Sequence, residues 1–300
     1  MTEYRGKWLY EPEQILFEVE DAVATITFNR PDKRNALNGK MLKEMHDALL
    51  EADDRMDVNA IVLCGAGKDF CAGYDLEQAY EGRGEKTKLG NYQYREAGKR
   101  FDDDCFSMER TQQYTLIIPA IHKPVIAKVH GNCLAGGTDI ALSCDLVIMA
   151  DDARIGFPAT RANGSPPAHM WIYHCGPQWA KRMLFTGDKM TGADAVKIGL
   201  ALESWPAAEL DAAVDALARR VAAVDQELLS AHKRIVNLAL EQMGAGTIQR
   251  LAAEADARAH LAAGPRRTQF KSDMKEHGLK VALTNRDAPF GDGYVRVKGS

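Results

Sequence analysis

The 300-residue sequence predicts an α/β fold with a helical C-terminal part, and three observations carry that prediction. Short β-prone apolar runs alternate with stretches of helical spacing through the first two thirds of the chain, an order that favours a sheet with crossover connections. Residues 124–148, PVIAKVHGNCLAGGTDIALSCDLVI, read as strand, glycine turn, short helix and strand. Beyond Pro206 the composition shifts to Ala, Leu, Arg and Glu with helical period. The expected organisation is a core over residues 1–205 followed by a helical subdomain and tail over 206–300.

Each element has its own reason. ILFEVE and AVATITF, parted by Glu20 and Asp21, give a hairpin. Pro31 ends it, Asn38 is placed to cap the next helix, and Met41, Leu42, Met45, Leu49 and Leu50 give that helix an apolar face. AIVLC at 60–64 is the next strand. Residues 77–113 are dense in charge and read as a loop leading into a helix; loops of this length often cover a binding site and select what enters it. Apolar periodicity resumes at 115–121. After Asp145 two short strands bracket Asp151 and Asp152, RANGSPP is a turn cluster, residues 169–185 have helical spacing, and Thr191 caps a short helix ending at Gly199. Leu210, Val214, Leu217 and Val221, then Leu228, Leu229, Ile235, Val236 and Leu240, keep helical period. PRRTQFKSDMKEHGLK is basic, either a solvated helix face or a contact for a phosphorylated ligand, and FGDGYVRVKGS reads as a tail docked through Phe290 and Tyr294.

Composition narrows the function. With 46% hydrophobic and 27% charged residues the chain has an ordinary globular balance. A formal net charge of −4 gives no reason to expect nucleic acid or an anionic membrane as partner. The apolar runs are too short to span a bilayer, and the charged, aromatic N-terminus lacks a secretory pattern, so a cytoplasmic location is expected. The six cysteines form no CxxC pair and read as reduced core thiols, and the eight histidines form no HExxH. No metal is expected.

The chemistry concentrates at the glycine turn. A strand delivers the chain to a helix start, where backbone N–H groups lack intrahelical partners and the peptide dipoles add partial positive charge. An oxyanion or carbonyl oxygen is well received there, and glycine lets it come close. Asp139 stands in the first helical turn. Its plainest role is to complement the dipole, worth about 0.3–1 kcal/mol; the alternative is an acid or base facing whatever the turn binds. Upstream, Ala72-Gly73-Tyr74-Asp75-Leu76 echoes Ala135-Gly136-Gly137-Thr138-Asp139-Ile140: each follows a strand, turns on Ala-Gly and enters a helix through Asp and an aliphatic residue. Two such turns can supply the paired backbone donors of an oxyanion hole.

In the same order along the chain, TFNRPDKRNALN, AIVLCGAGKDFCAGYDL, KPVIAKVHGNCLAGGTDIALSCDLVIMADDARIGFP and AKRMLFTGDKMTGADAVKIGL resemble the motifs of the crotonase (enoyl-CoA hydratase/isomerase) superfamily. Within it the chain is similar to actinobacterial enoyl-CoA hydratases. The resemblance implies a crotonase-like spiral of ββα units and a homotrimer or dimer of trimers with C-terminal helices at the subunit contacts. It also implies an acyl-CoA thioester as substrate, with coenzyme A part of that substrate and no separate cofactor. The thioester carbonyl would lie between the backbone N–H groups of Tyr74 and Gly136, with Gly137 beside them. CoA would run along Lys33, Arg34 and Ala36, with Ala72, Asp75 and Leu76 against its adenine and pantetheine.

One departure stands out. Hydratases of this family carry a glutamate just after the Gly-Gly turn and a second after the next strand. Here the first position is Asp139, shorter by a methylene, roughly 1.5 Å. The second falls at Ala159, or at Thr160 if the turn cluster holds an extra residue, and neither can move a proton. Arg161, His169, Tyr173 or an acid between Asp102 and Glu109 are the candidates to complete a pair, none singled out by spacing. Hydration of a 2-enoyl-CoA is the leading expectation. An isomerase or other acyl-CoA lyase using Asp139 as its sole carboxylate, and an acyl-CoA-binding protein with little turnover, are the alternatives.

Overall fold

The computed structural model describes residues 4–80, 88–89, 92–96 and 98–298. The strands are β1 (Ile15–Glu20), β2 (Val23–Phe28), β3 (Ala60–Gly65), the two-residue pair β4 (Lys88–Leu89) and β5 (Tyr92–Gln93), β6 (Val125–Val129), β7 (Asn132–Leu134), β8 (Leu146–Ala150), β9 (Arg154–Gly156), β10 (Lys189–Thr191) and β11 (Glu203–Trp205). The helices are α1 (Gly39–Asp54), α2 (Leu76–Tyr80), α3 (Phe101–Ala120), α4 (Gly136–Ala141), α5 (Trp171–Thr186), α6 (Gly192–Lys197), α7 (Leu210–Ala222), α8 (Gln226–Gln242), α9 (Ala245–Leu261), α10 (Pro265–His277) and α11 (Leu279–Asp287).

The main sheet has the order β1-β2-β3-β6-β8-β11. Its first pair is the predicted hairpin, antiparallel, with Asp21 and Ala22 both at positive φ as a tight two-residue turn demands. From β2 onward neighbouring strands are parallel. A smaller sheet, β10-β9-β7, stands beside it. β6 and β8 lie in the large sheet while the strands that follow them, β7 and β9, lie in the small one. Each pair is followed by a helix, α4 or α5, which is the expected ββα repeat.

Local chemistry explains the boundaries. Asn38 caps α1 by accepting from the Met41 N–H at 2.8 Å, and α1 buries Met41, Leu42, Met45 and Leu49. The spacing of 169–185 gives a helix interrupted at Gly176, which turns to φ 70° ahead of Pro177, as a residue preceding proline avoids helical geometry. The parallel strand β6 is apolar except for Lys128, with Val125, Ile126, Ala127 and Val129 all buried.

Past Pro206 the chain is helical. Leu210, Val214 and Ala218 of α7 join the main core, while α9 packs along α3 and α10 against α11. The tail pairs with β10 through Val295 N–H to Lys189 O and Lys189 N–H to Gly293 O, both 2.8 Å. Phe290 lies under Arg161 and Tyr294 under Lys189. All six cysteines are free and buried. No helix among the described residues is long and apolar enough to cross a membrane. Within the charged loop, residues 81–87, 90–91 and 97, a part of the stretch expected to cover the site, lie outside the described residues.

Candidate active site

The two Ala-Gly turns meet. Cys71 N–H donates to Asn132 O and Leu134 N–H to Cys71 O, each at 2.9 Å, so the first turn starts in register with β7. Gly73 has φ +104°, and a Cβ there would lie 2.9 Å from Ala135 Cβ and 3.5 Å from Gly136 N. A Cβ on Gly136 would lie 2.7 Å from the Tyr74 ring and 2.9 Å from Leu37 Cδ1. Any larger residue at either position would push the turns apart. Gly137 faces Cys71 O just as closely. Ala135, between them, holds φ 47°, ψ −119°, a region that costs a non-glycine residue on the order of 1–3 kcal/mol. Its N–H is fixed on Gly156 O at 3.0 Å, and its C=O accepts from both the N–H and the hydroxyl of Thr138.

Leu37 orients the first donor. Its N–H donates to Gly73 O at 2.8 Å and its C=O accepts from Asp75 N–H at 2.9 Å. Both of its polar groups are thus spent on the neighbours of Tyr74, which leaves the Tyr74 N–H directed away from Leu37. Gly136 opens α4, where an N–H has no intrahelical partner. Among the described residues neither N–H meets an acceptor. Two adjacent unspent donors at a helix start are what a developing oxyanion requires.

Asp139 follows on α4 and is 2% exposed. Its Oδ2 accepts from the Tyr74 hydroxyl at 3.3 Å, and its Oδ1 has no partner among the described residues. Burial, then the nearby charge of Asp256, pushes the Asp139 carboxyl well above the usual carboxylate range, against the opposing pull of the Tyr74 hydroxyl. Burial and the two acids also push the Tyr74 phenol up. Asp256 comes from α9, is 4% exposed, accepts from Ser165 N–H at 2.9 Å and lies 3.6 Å from His260 Nε2.

The other predicted site residues gather at the first turn. Ala72 N–H donates to Arg34 O at 3.0 Å. Arg30 bridges Ala36 O and the Asp75 carboxylate. Lys33 pairs with Glu77 at 3.0 Å on the surface, and Arg34 pairs with Asp69. Leu76 begins α2 and packs in the small cluster around Phe270.

Most of the candidates for a second proton carrier are engaged elsewhere, while His169 keeps a buried Nδ1 with no partner among the described residues. Ala159 lies in a short helical turn, its C=O accepting from the Ala162, Asn163 and Gly164 N–H groups. Arg161 is buried between Asp188 and Asp287. Tyr173 donates to Met243 O at 3.3 Å. Asp102 and Asp103 pair with Arg95, and Asp104 accepts from Gly98 N–H. Burial pushes the His169 imidazole down, which holds it neutral. Sequence reasoning overlooked both the Tyr74 phenol and Asp256. The signal for Asp256 was present: it is an acid on the packed stripe Gln249, Ala252, Ala253, Ala257 of an otherwise alanine-lined helix face.

Comparison with known proteins finds relatives over most of the chain. The family model described as enoyl-CoA hydratase/isomerase matches residues 18–292. A hydroxycinnamoyl-CoA hydratase-lyase from Pseudomonas fluorescens is 30% identical over 78% of this chain and 80% of its own length. A crotonyl-CoA hydratase from Syntrophomonas wolfei is 30% identical over 93% and 98%. The crystal structure of an enoyl-CoA hydratase from Mycobacterium smegmatis superposes with a TM-score of 0.84 at 38% identity, covering 95% of this chain and 98% of that one. The chain belongs to the enoyl-CoA hydratase/isomerase family.

Proposed function

We propose that the protein hydrates a 2-enoyl-CoA thioester, coenzyme A entering as part of the substrate. The observation that carries this reading is the buried acid Asp139 beside two adjacent, unspent backbone donors, Tyr74 N–H and Gly136 N–H. The thioester carbonyl lies between those donors, with Gly137 close by. As water oxygen bonds to C3, the C2=C3 electron pair moves toward the carbonyl and charge grows on its oxygen. Fixed donors stabilise that charge more than they stabilise the ground state, and losing one typically costs about 2.7–4 kcal/mol. Asp139, whose carboxyl burial pushes toward its protonated form, gives its proton to C2. Lys33, Arg34 and Ala36 line the CoA path, with Ala72, Asp75 and Leu76 beside the adenine and pantetheine. A crotonyl-CoA hydratase among the relatives supports the reaction class.

Crotonyl-CoA and longer 2-enoyl-CoAs lose their conjugated thioester absorbance on hydration, and that loss is expected with this protein. A flat signal across the whole panel overturns the reading. We also propose a homotrimer or dimer of trimers in the cytoplasm. Its support is α8, which buries only Lys233 while Leu228, Ile235, Val236 and Leu238 stay more than half exposed. Light scattering that returned a monomer mass would sink the assembly.

A further inference from the structure

Water addition moves two protons, one off the water and one onto C2, and the glycine turn supplies a single carboxyl group. We propose that Asp256, carried by the C-terminal helix α9, is the second proton carrier, the base that takes the proton from the attacking water. The inference rests on the hydration reading above.

Asp256 is 4% exposed on a face otherwise lined by Gln249 and alanines. An alanine would continue that stripe without desolvating a charge, so apolar packing alone does not call for a carboxylate there. The helix delivers it to a defined place. Gln249 brackets the backbone of His169, accepting from its N–H at 2.8 Å and donating to its C=O at 3.1 Å. Asp256 Oδ1 accepts from Ser165 N–H. These contacts lay α9 against the segment that begins just after Ala159, the position where the family's second glutamate falls. Gly164 leaves room for it, since a Cβ there would lie 2.4 Å from Asp256 Oδ1. Asp139 in turn carries a buried oxygen, Oδ1, with no partner among the described residues. The charge of Asp256 reaches both Asp139 and Tyr74. Ser165 N–H donates to its Oδ1 at 2.9 Å, and His260, one turn further along α9, sets Nε2 3.6 Å from the same oxygen.

The step balances. A water O–H bond breaks and its proton goes to the Asp256 carboxylate while the oxygen bonds to C3. The C2=C3 pair moves into the enolate held by Tyr74 N–H and Gly136 N–H. As the enolate collapses, the Asp139 O–H bond breaks and its proton goes to C2. Asp256 ends protonated and Asp139 ionised, and the pair resets by losing one proton to solvent and regaining one from it.

The test is Asp256→Asn, which keeps an oxygen for Ser165 N–H, together with Asp256→Glu. On crotonyl-CoA, or whichever 2-enoyl-CoA the wild type turns over, kcat of the Asn variant should fall about 10²–10⁴-fold with little change in KM or melting temperature. The acidic limb of the pH–rate profile should vanish, and the Glu variant should recover part of kcat and that limb. Turnover of the Asn variant within about tenfold of wild type overturns the inference. So does a loss of kcat that tracks a fall in melting temperature with the acidic limb intact, the result of a purely structural acid. A wild-type protein inert across the panel removes the hydration reading, and this inference with it, before any variant is made.

Discussion

Asp69 and Asp139 sit at opposite ends of the paired turns and are equally buried, each 2% exposed, yet they are pushed in opposite directions. For Asp69 burial raises the carboxyl, but Arg34 Nε at 2.6 Å, Arg34 Nη2 at 3.2 Å, the Asn132 N–H at 2.9 Å and the Asn132 side chain together outweigh it and hold the group below the usual range. For Asp139 burial acts with the charge of Asp256, opposed by a single long hydrogen bond from Tyr74. Donor supply rather than depth separates an acid held below the usual range from one pushed above it.

The sharpest way to break this contrast is Asp139→Asn. Turnover should fall about 10²–10⁴-fold while thioester binding, followed by calorimetry with a saturated acyl-CoA, persists. Unchanged turnover would reduce Asp139 to a helix-terminal acid.

Next in size comes stability. Asp69→Ala strands the donors of Asn132, and each buried donor left unpaired costs about 1–3 kcal/mol, read as a lower urea midpoint. The two acids should also respond to pH with opposite signs. The native pKa of Asp69 is lowered, so its stabilisation is present above the unfolded value of 3.8 and is lost as pH falls through the native one. The native pKa of Asp139 is raised, so its contribution is fully present below 3.8 and is lost as pH rises through the native value. Asp139→Asn should therefore melt progressively higher than wild type as pH rises. A melting difference that does not change with pH would show that Asp139 is not held protonated.

The smallest expected effect is that of Tyr74→Phe. Removing one hydrogen bond of about 0.5–1.5 kcal/mol lowers turnover by tenfold or less. Because the Tyr74 hydroxyl favours the ionised form of Asp139, its loss should carry the alkaline limb of the rate profile to higher pH. A limb that stays in place would mean that the 3.3 Å contact is not kept in solution.

The elements that could be read from sequence are those whose information is local. The hairpin, the Asn38 cap and the strand-turn-helix at Gly136 each depend on residues a few positions apart, and period and turn chemistry identify them. The pairing of the two turns was legible only as an echo, because the contact between Gly73 and Gly136 N is made by chain segments more than sixty residues apart. Arg34 read as a ligand contact from its place in the motif, yet a carboxylate on the far side of β3, Asp69, engages its side chain. Asp256 was the hardest to see. A buried acid in an alanine-rich helix, two residues from the exposed Glu254, has no motif around it, and its neighbour Ser165 lies on another segment.

Leu37 belongs to neither turn, but it clasps the chain on both sides of Tyr74 and sets its side chain against Gly136. The gap between the two donors is therefore gauged by the loop that leads into α1. Adding or removing a residue in that loop would shift the two donors relative to each other without substituting either of them. Here the tolerance of the enzyme is written in chain length rather than in residue identity.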